Sequence, residues 1–239
     1  MIIGINGYAG SGKDTVGTII QYLQADTNIP LKGVLKKTPH HIWWLEERSG
    51  WEIKKWAGKL KDIASLLTGI PVESFEDQEF KTTLLGPEWG TVTSNPLNSI
   101  PVFADIEFNS LISVREFLQR LGTDAIRDGL HTNAWVNALM AGYTPTQVQW
   151  ADGPIGGYKD GPMPNWIITD TRFPNEAEAI KKAGGIVIRV DRPGVKPIND
   201  HPSEIGLDDW KFDYKIANVS DLKALSLTVK MILEKENIL

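Results

Sequence analysis

The chain has 239 residues, of which 41% are hydrophobic and 23% charged, as is ordinary for a globular protein with a full core. Its 25 basic and 30 acidic residues give a net charge of −5, which excludes the broad positive field of a sequence-independent nucleic-acid binder. The absence of cysteine excludes a disulfide framework and a thiolate metal site. The apolar residues 1–5 are too few for a signal peptide or a membrane span. From the charge, the lack of cysteine and this short apolar stretch together, we expect a cytoplasmic protein without nucleic-acid or membrane partners.

The beginning of the chain predicts a strand, a loop and a helix. Residues 2–5 are apolar apart from one glycine, which indicates a buried strand. After a glycine-rich turn, apolar residues recur at helical spacing at Val16, Ile19, Ile20 and Leu23.

The turn carries the pattern Gly-x-x-x-x-Gly-Lys, which is typical of a phosphate-binding loop when it joins a strand to a helix. Glycines let successive backbone N–H groups face phosphate oxygens, the helix N-terminus adds positive potential, and the lysine supplies a mobile cation. We therefore predict that this loop binds ATP. The residues expected to do so are Gly7, Gly10, Ser11, Gly12, Lys13, Asp14 and Thr15.

The loop departs from the general motif directly after the lysine. The motif has Ser or Thr there to bind magnesium, whereas this chain has Asp14, with Thr15 one place later. Asp14 could hold a magnesium-bound water or orient the acceptor, or it could be only a first-turn carboxylate that the helix dipole favours. Thr15 could take the magnesium, so the sequence leaves open which residue serves the metal.

The middle of the chain is less regular. Residues 27–50 mix prolines and glycines around a stretch that could be helical, and we interpret them as an insertion. Residues 51–56 alternate as a strand does, and a helix is predicted from Leu60 to Leu67, ended by Gly69.

Beyond this helix, residues 86–101 indicate a loop, and apolar spacing predicts helices at 113–121 and 133–140. Residues 142–165 are rich in glycine and proline, which predicts an excursion or a hairpin.

The remainder of the chain alternates between strands and helices. The predicted strands are 166–168, 186–190 and 212–216, and the predicted helices are 174–183 and 220–235. Near-continuous apolar strands that alternate with helices are typical of an α/β protein whose parallel sheet is covered on both faces.

Several segments resemble phage deoxynucleoside monophosphate kinases, which are relatives of the nucleoside monophosphate kinases and dephospho-coenzyme A kinases. The loop sequence GKDT is one of them. The segments DTRFPNEAE and LQRLGTDAIR are much more specific to this family than the phosphate loop, which by itself indicates only a superfamily. The resemblance covers most of the chain and runs in order through residues 57–62, 75–81, 115–127, 170–178, 201–204 and 212–218. Residues 27–50 and 142–165 lie outside it.

The resemblance implies a three-layer P-loop kinase fold, with a five-stranded parallel sheet, an acceptor-binding insertion and a small lid. We expect one domain, with a core at 1–26, 51–70, 166–191 and 212–239, an acceptor region at about 71–141 and a lid at about 192–205. The implied reaction transfers the γ-phosphate of ATP, with Mg²⁺, to a small-molecule deoxynucleoside monophosphate and gives ADP and the diphosphate. A phage enzyme would act in the host cytoplasm, and a homodimer is left open.

The resemblance also implies roles at the donor side. Lys13 and Asp14 would act on the transferring phosphate, and Asp170, at the end of a strand, would hold magnesium through water, unless it is only a turn carboxylate. Asn218 would meet the adenine, unless it only forms a turn.

Two arginines are expected to complete the donor side. Arg172 lies where a strand meets the ligand crevice, although it could pair with Glu176 or Glu178. Arg192 begins the lid and would close over the phosphate, whereas Arg189, inside a strand, is expected to be structural.

Acceptor binding requires cations that hold a second phosphate in line, and a bidentate guanidinium does this better than a point charge. Arg115 and Gln119 share one face of a predicted helix, and Arg127 follows in the next turn or loop. The two arginines would bind the acceptor phosphate and Gln119 the base or sugar. Further candidates are Thr123 and Asp124 in the same stretch, and Lys61 on the helix predicted from Leu60 to Leu67.

Two other functions are left open by the sequence, namely a kinase of the same fold acting on dephospho-coenzyme A, and a module that binds ATP without transferring phosphate. The group His201, Ser203 and Glu204 is not interpreted as a hydrolase triad, because no nucleophile-elbow sequence is present.

Overall fold

The computed structural model of the protein describes residues 1–35, 39–93, 108–150 and 157–239. Its strands are β1 (Ile2–Asn6), β2 (Trp51–Lys54), β3 (Thr91–Thr93), β4 (Phe108–Ser110), β5 (Gln147–Trp150), β6 (Gly157–Asp160), β7 (Asn165–Ile168), β8 (Ile186–Asp191) and β9 (Tyr214–Ala217). Its α-helices are α1 (Lys13–Gln24), α2 (Leu31–Val34), α3 (Pro39–Ser49), α4 (Gly58–Thr68), α5 (Val114–Gln119), α6 (Ala134–Met140), α7 (Pro174–Lys182), α8 (Pro202–Ile205) and α9 (Leu222–Lys235). A π-helix spans Arg120–Asp128, and 3₁₀ turns span Val72–Glu76, Phe80–Thr82 and Pro87–Trp89.

Five strands form one parallel sheet in the order β2-β7-β1-β8-β9. The central strand, β1, is buried along its whole length and aligns Ile3 with Ile167 on one side and Ile5 with Ile188 on the other. Strands buried on both faces need apolar residues at nearly every position, which is the pattern that the sequence has here. The predicted α/β fold with a five-stranded parallel sheet is confirmed.

Helices cover both faces of this sheet. Ile3 and Ile5 point to the face where α1 and α9 pack, and Ile2 points to the face covered by α7. On the α7 face, a side chain at Gly4 would collide with Ile180 of that helix. This close approach of helix and strand explains why a glycine interrupts an otherwise apolar strand.

The described chain divides into two compact units. Unit 1 comprises residues 1–56 and 135–239 and contains the five-stranded sheet, and unit 2 comprises residues 57–134. Unit 2 has its own core, in which Ala64 of α4 packs with Phe75, Val114 and Phe117. The helix α4 therefore belongs with unit 2, whereas its residues were expected in the core with the sheet, at 51–70. The single-domain boundaries stay a prediction.

The two segments outside the resemblance have regular structure. In the predicted insertion, α3 is longer than the expected helical stretch, and Leu45 packs with Ala25 and Val34. In the predicted excursion, β5 and β6 pair as an antiparallel hairpin. Residues 36–38 and 151–156 of these segments lie outside the described residues.

The predicted loop at 86–101 contains the strand β3, which pairs with β4 beyond it. Its part at 94–101 lies outside the described residues. None of the described helices is both long and apolar enough to span a membrane.

The turn before β8 depends on a glycine. A Cβ atom at Gly185 would overlap the carbonyl oxygen of Ile2 and lie 3.0 Å from that of Ile180. We predict that Gly185→Ala lowers the free energy of unfolding by about 1–3 kcal/mol, because neither carbonyl can move without shifting β1 or α7. Chemical denaturation measures this change.

The matched control is Gly58→Ala at the start of α4, where a Cβ atom meets nothing within 4 Å. It should raise stability by up to about 1 kcal/mol through helix propensity. Equal stabilities of the two variants would contradict the close packing at Gly185.

Candidate active site

The phosphate loop follows β1 at the edge of the sheet where the parallel strands have their carboxyl ends, which is where α/β proteins bind ligands. Gly7, Gly10 and Gly12 have φ angles of +156°, +82° and +101°, which other residues rarely adopt. A Cβ atom at Gly7 would lie 2.7 Å from the Val190 carbonyl oxygen, and one at Gly12 would lie 2.6 Å from Nδ2 of Asn218. These positions accept only glycine, so the loop is a concave turn with its backbone exposed inward.

Ser11 and Asn218 define the inside of this turn. The side-chain amide of Asn218 donates to the carbonyl of Ser11 at 2.9 Å, and its backbone N–H donates to the carbonyl of Asp191 at 2.7 Å. The hydroxyl of Ser11 is buried and has no hydrogen-bond partner among the described residues. A buried hydroxyl without a partner, set in a cradle of glycines, fits a phosphate oxygen. Asn218 braces the loop, and its contact with adenine stays a prediction.

Lys13 begins α1 and is partly buried, and its ammonium group donates to the carbonyl of Tyr8 at 3.4 Å. Burial lowers the pKa of Lys13 below the ordinary lysine value; the charge of Asp14 opposes this shift and that of Arg172 adds to it. Asp170 and Glu204 also act on this pKa, each raising it. The structure thus brings the predicted residues Lys13, Asp14, Asp170 and Arg172 into one electrostatic cluster.

The two acidic candidates each accept a hydrogen bond from a residue at or after the end of a neighbouring strand. The hydroxyl of the fully buried Thr169 donates to Oδ1 of Asp14 at 2.9 Å. The backbone N–H of Trp56 donates to Oδ1 of Asp170 at 2.8 Å, and Asp170 is 9% exposed. These bonds fix the direction of both carboxylates at the carboxyl end of β7.

The cluster fits magnesium better than a transition metal. Magnesium in kinases keeps several waters and takes one or two carboxylates together with substrate phosphates. Asp170, Asp14 and the hydroxyl of Thr15 in the first turn of α1 are donors of this kind. Within the described ranges, no group of three or more His, Asp or Glu side chains is arranged to hold a metal ion by itself.

Arg172 has a different acidic partner from those expected. Its Nη1 donates to Oε1 of Glu204 at 3.1 Å and to the carbonyl of Ser203 at 3.3 Å, whereas Glu176 accepts from its backbone N–H. The Glu204 side chain is 6% exposed, so the pair is well shielded on the acidic side. The sequence did not indicate this role of Glu204, and its one signal was that residues 201–204 belong to the family resemblance.

The residues next to Glu204 have a structural role. Nδ1 of His201 accepts from the backbone N–H of Ser203 at 3.2 Å and lies 2.8 Å from its hydroxyl, so His201 caps α8. Arg192 follows β8 directly and is exposed; its carbonyl accepts from the backbone N–H of Val195 at 3.1 Å, and its guanidinium makes no hydrogen bond or ion pair with any described residue.

The acceptor candidates lie in unit 2 on α5 and the π-helix that continues it. Arg115, Gln119, Thr123 and Arg127 recur every four residues. Four residues are slightly more than one turn of an α-helix, which has 3.6 residues per turn, so side chains at this spacing shift around the axis in one direction. In the wider turn of a π-helix, four residues are less than one turn, so the side chains shift in the opposite direction. The row therefore stays on one side along both helices, which places Arg127 in the π-helix rather than in the following turn or loop.

Contacts within unit 2 orient this row. Nη2 of Arg115 donates to Oε1 of Gln78 at 3.2 Å, and Nη1 of the buried Arg127 donates to the carbonyl of Thr132 at 3.3 Å. Thr123 is buried and Asp124 is exposed. Lys61 is buried and paired with Glu76.

The donor candidates thus assemble within unit 1 and the acceptor candidates within unit 2. A model of deoxynucleotide monophosphate kinases matches residues 88–229, which is more than half of the chain. The chain belongs to the deoxynucleotide monophosphate kinase family. It is therefore a kinase, an enzyme that transfers a phosphoryl group, and the expected resemblance is confirmed.

Individual relatives agree with the family model. The deoxynucleoside-5′-monophosphate kinase of Escherichia phage T5 is 27% identical over 248 residues, covering 92% of this chain and 90% of the relative. The deoxynucleotide monophosphate kinase of Enterobacteria phage T4 is 26% identical, covering 96% and 97%. A protein of Acanthamoeba polyphaga mimivirus with a provisional name of the same kind is 34% identical over 112 residues, 44% of this chain and about half of its own length (52%).

The model of the kinase family begins at residue 88, after the phosphate loop. The loop geometry and the family match are therefore independent observations that point to the same class of enzyme.

The buried ammonium of Lys13 has a consequence for stability. Because burial lowers its pKa, the folded state disfavours the charged form, so folding carries a penalty below this lowered pKa. We predict that Lys13→Met melts at the same temperature as the wild type or higher near neutral pH. The difference should shrink as the pH rises from the lowered pKa toward the ordinary lysine value. Calorimetry across this range measures it, and a lower melting temperature of the variant would contradict it.

Proposed function

We propose that the protein transfers the γ-phosphate of ATP to a deoxynucleoside 5′-monophosphate and releases ADP and the deoxynucleoside diphosphate. The observation that carries this proposal is the glycine cradle with the unpartnered Ser11 hydroxyl, next to Lys13 and Asp170. The names of the phage relatives support the acceptor class. Both substrates are small molecules, and for a phage enzyme the reaction belongs in the host cytoplasm.

The transfer is a direct in-line displacement. A phosphate oxygen of the acceptor attacks the γ-phosphorus, the bond from this phosphorus to the β–γ bridging oxygen breaks, and the electron pair remains on ADP. No residue of the chain forms a covalent intermediate. The protein therefore has to position two anionic substrates and to neutralise charge that spreads over the transferring group.

The donor side supplies fixed positive charge. The inward backbone N–H groups of the loop would hold the phosphate chain, and Lys13 would contact the oxygens whose charge changes. Magnesium, when bound, would neutralise the β- and γ-phosphates, with Asp170 and either Asp14 or Thr15 as its ligands from the chain. The lowered pKa of Lys13 would return toward its ordinary value when an anion binds next to it.

The arginines would bind the transferring phosphoryl group and the phosphate of the acceptor. The ion pair with Glu204 holds the guanidinium of Arg172 in place before substrate arrives, which reduces the ordering needed in the transition state. Arg192, which is exposed and unpaired within the described part of the chain, would reach the γ-phosphate when the segment that it begins moves inward. Arg115 and Arg127 would hold the acceptor phosphate.

A coupled assay that detects ADP tests this function. The acceptors are dAMP, dGMP, dTMP, modified pyrimidine monophosphates and dephospho-coenzyme A, each with Mg²⁺ and ATP. We expect turnover with at least one deoxynucleoside monophosphate. Activity confined to dephospho-coenzyme A, or no turnover with any acceptor, would overturn the proposal.

The acceptor row predicts a difference between two arginines of the same helical segment. Arg115 belongs to the row, whereas Arg120 lies off it and pairs with Glu116 at 2.6 Å. We predict that Arg115→Met raises the KM for the monophosphate by about 10- to 100-fold, which is the loss of a charge-assisted hydrogen bond. The KM for ATP should stay unchanged.

Arg120→Met is the control and should leave both KM values unchanged. Steady-state kinetics, with each substrate varied in turn at a saturating concentration of the other, measures both KM values. If the two variants raise the KM for the monophosphate equally, the row is not the acceptor site.

A further inference from the structure

One buried guanidinium joins the phosphate loop to the segment that carries Arg192. Arg189 of β8 is 7% exposed, and its Nε donates to Oδ1 of Asp191 at 2.8 Å. Its Nη1 donates to Oδ1 of Asn6 at 2.6 Å and to Oδ1 of Asp208 at 3.2 Å. Its partners come from the end of β1, from the end of its own strand and from the residue that follows the segment after β8.

The two aspartates bracket the segment at residues 192–207. Asp191 directly precedes Arg192, and Asp208 follows the end of α8. Since the same guanidinium binds both carboxylates, it holds the two ends of this segment together. Closing a loop at its base removes conformations that a free loop would sample, so the path of the segment and the reach of Arg192 are restricted.

Tyr8 connects this base to the phosphate loop. Its hydroxyl donates to the carboxylate of Asp208, 2.8 Å from each oxygen, and its ring lies 4.4 Å from the guanidinium carbon of Arg189. The carbonyl of Tyr8 accepts from the backbone N–H of Ser11 at 3.1 Å and from the ammonium of Lys13 at 3.4 Å. A change in the loop at Tyr8 is therefore coupled to Asp208 by direct contact.

The same network reaches the end of β7. Asn6, which accepts from Arg189, donates through Nδ2 to the carbonyl of Thr171 at 2.7 Å. Thr171 lies between Asp170 and Arg172 in the sequence. The guanidinium of Arg189 is thus a common neighbour of three chain segments that meet at the candidate donor site.

We infer that Arg189 is a positioning residue, which with Tyr8 and Asp208 fixes the two ends of the segment 192–207 against the phosphate loop, so that Arg192 reaches the transferring phosphate when the segment between those ends moves inward. This inference rests on the proposed kinase reaction. It assigns no contact with substrate to Arg189 itself, because its guanidinium already bonds to Asn6, Asp191 and Asp208. The stacked Tyr8 ring shields the same group from solvent.

The test uses two mild substitutions in the full-length protein. Asp208→Asn keeps the size of the side chain but weakens the charged bond to Arg189. Tyr8→Phe keeps the ring over the guanidinium and removes the hydroxyl that binds Asp208. The control is Lys181→Met, which breaks the Lys181–Asp213 ion pair of 2.7 Å at the opposite edge of the same sheet.

Three measurements separate positioning from a purely structural role. They are kcat and KM for ATP, the melting temperature, and the rate of thermolysin cleavage within residues 195–198. We expect Asp208→Asn and Tyr8→Phe to lower kcat by about 10- to 100-fold, as a misplaced catalytic group does, with KM for ATP unchanged. Cleavage at 195–198 should be faster in both variants than in the wild type, and Lys181→Met should match the wild type in kcat and cleavage.

Wild-type kcat and cleavage rates in both Asp208→Asn and Tyr8→Phe would overturn the inference. A fall in kcat that the control Lys181→Met shares, and that follows the melting temperature, would also overturn it. Failure of the proposed function looks different, because then the wild type itself shows no turnover with any deoxynucleoside monophosphate. If Asp208→Asn does not fold, Tyr8→Phe decides alone, since Tyr8 lies on a loop outside the hydrophobic core.

Discussion

The close approach of the glycine loop to the strand ends is the constraint on which the donor site depends. Gly7 leaves the buried strand β1 at a point where the Val190 carbonyl oxygen and the Ser11 hydroxyl fill the space of a side chain. Gly12 then meets the Asn218 amide in the same way at the start of α1. Since both ends are pressed against neighbouring strands, the backbone between them forms a tight turn, and its N–H groups other than that of Ser11, which donates to the Tyr8 carbonyl, become available to an anion.

Charged side chains at this site are held by partners that the fold supplies. The Glu204 carboxylate is shielded and holds Arg172, and Thr169 orients the Asp14 carboxylate. Each pair fixes a side chain before ligand binds, which is how enzymes reduce reorganisation during phosphoryl transfer. This arrangement lowers stability, because the ammonium group of Lys13 is kept partly out of water, which lowers its pKa. Such a residue serves binding at the expense of stability.

The π-helix of unit 2 keeps the row of acceptor candidates on one side of the helical segment. Four polar side chains at a spacing of four residues would wind around a long α-helix, because each step of four overshoots one turn. The wider π turn reverses this drift and keeps Thr123 and Arg127 buried while the row continues. π segments are rare, and they occur often at functional sites.

The sequence by itself determined the elements whose signals are local. The apolar strands, the helix periodicity and the Gly-x-x-x-x-Gly-Lys turn depend on neighbours within a few residues, so β1, the loop and α1 could be predicted in order. The position of Asp170 at a strand end followed from the same pattern. The more family-specific segments around residues 115–127 and 170–178 indicated the family, which the comparisons confirmed.

Only the tertiary structure decided which partners these residues have. Thr169 and Asp14 are 155 residues apart, and Arg172 and Glu204 are 32 apart, so no local pattern relates them. The roles of Glu204 and Arg189, and the use of the Asn218 amide by the loop, likewise depend on the order in which β7, β1, β8 and β9 lie in the sheet. Strand order is set by the packing of the whole chain, and side chains at the strand ends become neighbours only when that order is formed.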